Sequence, residues 1–196
     1  MVILKEKGYV DITTKSLKNK KYGVASVIDA KYFYDGKYKY YVDGKGVVLD
    51  YSSKEKKVAK WLANLFGETV YMLPRINYPE GIKTADYFFK NECWDLKTIK
   101  GKSRQVLYHA IYKNKTQSNN FIFDIVSNDL NIEKLNSQVQ NLYNRKDTKF
   151  LQKIILRKEN NIFIYKRKWK CDRTGNSARP HFVYKLYHKL HKQVKR

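Results

Sequence analysis

The sequence predicts a mixed α/β chain of the α+β kind, and three observations carry that prediction. Ser52-Ser53-Lys54-Glu55 has the form of a capping box and is followed by apolar residues at helical spacing. Short apolar runs bounded by turn residues follow at 69–73, 84–89 and 93–99. A second helical stretch then leads into Phe121-Ile122-Phe123-Asp124-Ile125-Val126. Over residues 51–127 the order is helix, three strands, helix, strand.

Residues 1–50 read as short strands and turns. Tyr32-Phe33-Tyr34, then Asp35-Gly36, then Tyr38-Lys39-Tyr40-Tyr41-Val42 predicts a hairpin on its Asp-Gly turn. A second Asp-Gly, Asp43-Gly44, leads to Val47-Val48-Leu49. The tyrosines here suit ordinary packing on a β surface, and their rings also suit stacking on bases. Ser52 is the expected N-cap, Glu55 sits at N3, and Val58, Trp61, Leu62 and Leu65 define the buried stripe that Gly67 ends. Residues 74–83 carry two prolines and a glycine and read as a loop. Lys90-Asn91 reads as a turn between two strands. Gly101-Lys102-Ser103 breaks the second of these and caps a helix expected to reach about Ser118.

The run at 120–126 is strongly apolar, as expected of a buried strand. Asp129 or Asn131 caps the next helix, with Ile132, Leu135, Val139 and Leu142 on one face. Residues 150–156 and 162–165 predict a hairpin around Glu159-Asn160-Asn161. From Lys153 onward there are 14 Lys and Arg against two acids. Phe182, Leu186, Tyr187 and Leu190 predict a final amphipathic helix, with Lys185, Lys189 and Lys192 on its outer face. The chain thus divides into a β-rich segment 1–50, a core 51–127, and a segment 128–196 of helix, hairpin and basic helix.

Composition narrows the function. An apolar fraction of 42% and an aromatic fraction of 15% exclude a disordered tail. No apolar run is long enough to span a membrane, and the first residues lack a signal-peptide core, so a cytoplasmic protein without a membrane partner is expected. Cys93 and Cys171 make neither a disulfide framework nor a zinc site. His109, His181, His188 and His191 form no HExxH pattern. Against 18 Asp and Glu stand 41 Lys and Arg, a formal net charge of +23. Such a surplus calls for a polyanionic partner, and nucleic acid is the first candidate.

The chemistry-bearing residues lie in the middle. Asp86 falls early in one expected strand. Asp95 and Lys97 share a face of the next, while Trp94 and Leu96 point the other way. A hairpin between these strands can set Asp86 beside Asp95. Paired carboxylates bind a hard divalent cation, Mg²⁺ or Mn²⁺, through oxygen. The lysine can orient the attacking water or neutralise charge at a scissile phosphate.

This pattern resembles the PD-(D/E)XK nuclease superfamily, with Asp86 as first acid, Asp95 and Lys97 as the (D/E)xK element, and Ala85 where that family carries proline. Its restriction-endonuclease-like αβββαβ core matches the order read from Ser52 to Val126. A closer resemblance is to the C-terminal tRNase domains of CdiA-type contact-dependent inhibition toxins, domains also found on phage and mobile-element proteins. The residues that carry it are Glu55, the run Gly67-Glu68-Thr69-Val70-Tyr71-Met72-Leu73-Pro74, Asp86, Asp95, Lys97, Lys113 or Lys115, Gln117-Ser118 and the strand ending at Asp124.

The resemblance implies a metal-dependent nuclease cutting RNA of the tRNA kind. Glu55, Asp86 and Asp95 would hold the ion, Lys97 would aid the nucleophile, and Gln117 would touch substrate or position an acid. Lys113, Lys115, Lys185, Lys189 and Lys192 would grip the nucleic acid, and an acidic immunity protein would be a second partner. Each residue also has a plainer reading. Glu55 completes the capping box, Glu68 and Asp124 are solvated strand-end acids, and His109 is an ordinary surface histidine. Three alternatives stay open: a DNA endonuclease of the same fold, a metal-independent RNase of the barnase/EndoU/colicin/RelE-like group working through His109, and a non-catalytic nucleic-acid-binding protein.

Overall fold

The computed structural model describes residues 8–18, 25–112 and 117–168. Along the chain the first elements are β1 (Tyr9–Asp11), α1 (Thr13–Lys18), β2 (Val27–Asp29), β3 (Tyr32–Tyr34), β4 (Lys39–Tyr41), β5 (Val47–Val48), α2 (Ser53–Phe66), β6 (Val70–Met72) and β7 (Arg75–Ile76). They are followed by β8 (Tyr87–Phe89), β9 (Glu92–Ile99), α3 (Val106–Tyr112), β10 (Asn120–Ile125), α4 (Ile132–Asn144), β11 (Lys153–Lys158) and β12 (Asn161–Arg167). This is the mixed α+β composition expected. Contacts group the described residues into two compact units, one of 8–18, 94–112 and 117–168 and one of 25–93. Residues 8–18 thus group with the second half of the chain, and the boundary between the units falls between Cys93 and Trp94.

In the first unit the strand order is β1-β12-β11-β10-β9. β10 runs parallel to both its neighbours, whereas β11 and β12 form the expected antiparallel hairpin. Its turn passes through Glu159 at φ +52. A parallel strand flanked on both sides is covered on both faces, and Phe121, Ile122 and Phe123 are accordingly inaccessible. Asn131 caps α4, its side chain accepting from Lys134 N at 2.9 Å. Leu135, Val139 and Leu142 of α4 and Leu107 and Ile111 of α3 pack on Phe121, Phe123, Ile154 and Leu156. Each such side chain contributes about 1.5–3 kcal/mol on full burial.

No sequence pattern places the N-terminal strand in this sheet. β1 pairs antiparallel with β12, Tyr9 opposite Arg167, and the Tyr9 ring stacks on Tyr143 at 5.2 Å. Asp11 then starts the short α1 by accepting from Thr13 N at 2.8 Å. Arg167 ties the end of the sheet to the last turn of α4 and the segment after it. Its guanidinium donates to Leu151 O (2.7 Å), Tyr143 O (2.9 Å) and Thr148 O (2.8 Å). The buried Gln138 of α4 joins α4 to the start of α3, accepting from Leu107 N at 3.2 Å and donating to Ser103 O at 3.2 Å.

In the second unit β2 lies parallel to β6, and β6 antiparallel to β8. α2 has the expected capping box at Ser52 and ends on Gly67 at φ +63, where a left-handed backbone favours glycine. Its buried face is Val58, Ala59, Leu62, Ala63 and Phe66. The Lys90-Asn91 turn has positive φ at both residues, as a two-residue hairpin of type I′ requires. β7, at the start of the stretch read as a loop, pairs antiparallel with β5 over two residues.

Candidate functional site

Glu55 and Asp86 belong to the second unit. The chain folds Glu55 back onto Ser52, whose N–H donates to Oε2 at 2.5 Å, while Arg75 Nη2 donates to Oε1 at 2.8 Å. Both oxygens therefore have fixed partners that serve the helix start, the plainer of the two roles read from the sequence. The α2 backbone there is held further by the Tyr87 hydroxyl, which donates to Glu55 O at 2.9 Å. The sequence pattern puts Asp86 inside a strand spanning 84–89. The strand β8 begins one residue later, at Tyr87. Asp86 is half-buried, and its backbone carbonyl accepts from Leu73 N at 3.0 Å.

Asp95, Lys97 and Gln117 belong to the first unit. As alternation requires, Asp95 and Lys97 meet on one face of β9, with Lys97 Nζ 2.7 Å from Asp95 Oδ2. Asp95 is only 2% exposed and the Lys97 side chain 19%, so the carboxylate is a core group and the lysine is the more accessible partner. On the adjacent strand Phe121 stands opposite Asp95 and Phe123 opposite Lys97. Apolar neighbours strengthen the attraction between the charges, and they also raise the cost of removing either one.

Gln117 comes to the same ammonium, with Lys97 Nζ donating to its Oε1 at 3.5 Å. It does so from outside any helix, which corrects the expectation of a helix reaching Ser118. α3 is described over Val106–Tyr112, and Gln117 lies in a turn. The reason is local: the Ser118 hydroxyl accepts from Asn120 N (3.0 Å) and donates to Asn120 O (2.9 Å). Such short-range bonding favours a turn over a continued helix.

The remaining candidates have plainer settings. Asp124 is 3.8 Å from Arg157, its register partner on β11, and Glu68 is 3.7 Å from Lys90. His109 is exposed on α3, its ring edge-on to Tyr108. Burial first, and then the charge of Glu92, push the Cys93 thiol up to about 12, which favours its protonated form at neutral pH. Lys113, Lys115, Lys185, Lys189 and Lys192 lie outside the described residues.

Among the described residues, no three His, Cys, Asp or Glu side chains gather as they would around a metal ion. The chemistry on view is a buried carboxylate paired with a less buried lysine, with a carboxamide beside it. The pair has no net charge, but an ammonium held in place keeps N–H donors that can stabilise charge on an anion such as a phosphate oxygen. Nothing in the sequence points to the anchoring roles of Arg167 and Gln138. Both are polar residues in elements that carry several others, so no local pattern singles them out.

Among the described residues, no helix is long and apolar enough to cross a membrane. No curated protein and no solved structure matches the chain. The model of one family does match, that of the contact-dependent growth inhibition CdiA C-terminal domain, over residues 83–162. That stretch is less than half of the chain, and it contains Asp86, Asp95, Lys97 and Gln117. Over these residues the chain is similar to a CdiA C-terminal domain.

Proposed function

We propose that the chain is a toxin-type nuclease that hydrolyses phosphodiester bonds, with RNA of the tRNA kind its preferred substrate. The observation that carries this reading is the Asp95–Lys97 pair, 2.7 Å apart and largely withdrawn from water, inside the segment that matches the CdiA C-terminal domain. The net charge of +23 supports a polyanionic substrate. It also suits an acidic immunity protein as the partner that would silence the activity.

In this reading Asp95 positions Lys97, and the ammonium meets a non-bridging oxygen of the scissile phosphate. Charge building on that oxygen as water attacks phosphorus is then stabilised by a group already in place. Gln117 shares the ammonium and steers it. Membership of the PD-(D/E)XK superfamily and dependence on Mg²⁺ or Mn²⁺ are parts of the same proposal and rest on the sequence motif. Asp86 and Asp95 carry the oxygen donors such an ion takes. Glu55 would have to give up Ser52 or Arg75 to join them. The roles of Lys97 and Gln117 stand without the ion.

The test is cleavage of total RNA and of plasmid DNA by the purified chain, with and without EDTA. RNA degradation that EDTA stops supports the full reading. Degradation of DNA alone selects the endonuclease alternative. RNA cleavage that survives EDTA and is lost in His109→Ala selects the metal-independent one.

A further inference from the structure

The β3–β4 hairpin turns one face of its ladder to solvent. Tyr32 pairs with Tyr41, Phe33 with Tyr40 and Tyr34 with Lys39. Phe33 and Tyr40 therefore share one face, and Tyr32, Tyr34, Lys39 and Tyr41 the other. Phe33 packs against Leu73, Ala85 and Phe88, which commits the first face to the interior of its unit. The opposite face is a strip of phenol rings with a lysine among them. Tyr41 is 60% exposed, and Tyr38 beside the turn is 54% exposed. The rings of Tyr32 and Tyr41 lie 5.5 Å apart. Lys39 Nζ sits 5.1 Å from the Tyr32 ring centre, and Lys37 Nζ 4.7 Å from that of Tyr38.

The charges on the hairpin are sorted. Its acids turn inward to their own turns. Asp35 accepts from Lys37 N and Tyr38 N, both at 2.7 Å, and from the Tyr40 hydroxyl at 3.0 Å. Asp43 accepts from Lys45 N at 2.8 Å and Val47 N at 2.9 Å. Lys31, Lys37, Lys39 and Lys45 are all exposed. What faces outward is aromatic and cationic together. That combination takes unstacked bases on its rings and phosphates on its ammonium groups, whereas a duplex keeps its bases stacked on one another.

We propose that this face binds single-stranded nucleic acid, with bases stacked on Tyr38 and Tyr41 and backbone phosphates at Lys37 and Lys39. The inference extends the nuclease reading to a second place on the chain, outside the matched segment. The experiment is fluorescence anisotropy with the full chain and a labelled 2′-O-methyl uridine dodecamer, against a 12-base-pair duplex, across a salt series. Tyr38→Ala and Tyr41→Ala should each weaken single-strand binding about fivefold to a hundredfold, with an unchanged salt slope and an unchanged melting temperature. Tyr41→Trp should keep the affinity. Lys39→Gln should lower the log–log salt slope by about 0.7. If Tyr41→Ala melts early, Tyr41→Trp and Lys39→Gln carry the test alone.

Wild-type affinity in both alanine variants would overturn the proposal. So would equal losses on duplex and single strand, or a wild-type chain that binds no oligonucleotide. Cleavage measured in parallel separates the two readings. A chain that cleaves RNA while its tyrosine variants bind normally loses only this inference. One that cleaves nothing yet needs Tyr41 for binding loses only the nuclease reading.

Discussion

Lys97 Nζ lies 2.7 Å from Asp95 Oδ2, and the two side chains differ sharply in exposure, 19% against 2%. The buried partner is the one that suffers if the pair is broken. Lys97→Met should therefore destabilise the fold by about 3–5 kcal/mol, because it removes the cation beside a buried carboxylate. Adding Asp95→Leu should recover most of that loss, since two apolar groups of similar volume need no partner. Chemical denaturation of the two single variants and the double variant checks this. Simple additivity would mean that the charges do not depend on one another.

Arg167 should be a stability determinant with no direct part in chemistry. Its three donors each reach a different carbonyl, of Leu151, Tyr143 and Thr148. A lysine has one ammonium in place of a planar fork and cannot serve all three. Arg167→Lys should cost about 2–4 kcal/mol in urea unfolding, because carbonyls in a half-buried setting lose their donors. A variant that unfolds at the wild-type midpoint would show that water replaces the guanidinium without loss.

Acid should loosen the junction of α3 with the end of α4 before it unfolds the core. Asp147 accepts a two-pronged pair of bonds from Arg145, at 3.0 and 3.1 Å, and one from the Tyr108 hydroxyl at 2.7 Å. Arg145 first, then Tyr108, hold its carboxyl at about 2, below the ordinary value. The contribution is therefore present above about pH 4 and is lost as pH falls toward 2. The group is exposed, so the effect should be small and should shrink in high salt. Melting temperatures from pH 5 to pH 2 should fall less steeply in Asp147→Asn than in the wild type. Parallel curves would remove Asp147 from the acid response.

Much of this layout is legible in the sequence alone. The Ser52–Glu55 box, Gly67, the Asp35-Gly36 and Lys90-Asn91 turns and the Asn131 cap are local signals, made by residues within a few positions of one another. The Asp95–Lys97 pair is legible for the same reason, since strand alternation by itself brings the two together. What the sequence hides depends on distant partners. No local pattern says that Tyr9 pairs opposite Arg167, or that Gln138 serves the first turn of α3. Helix spacing misplaces Gln117 because it continues past Tyr112, while Ser118 bonds to its own neighbour Asn120 and turns the chain. Glu55 matches two patterns at once. The structure displays the capping one, and a ligand role needs a different set of partners.

The proposed activity turns on the Asp95 carboxylate, so the most direct measurement compares wild type with Asp95→Asn, a nearly isosteric change that removes the charge. Both proteins, shown to be folded by circular dichroism, are incubated with purified tRNA and excess Mg²⁺, with an EDTA arm for each. The wild type should degrade the RNA, and EDTA should stop it. Asp95→Asn should leave the RNA intact or cut it at least about a hundredfold more slowly, the scale on which losing a placed electrostatic group is felt. A folded Asp95→Asn protein that cuts tRNA at the wild-type rate, or a wild type that leaves it intact, would contradict the assignment.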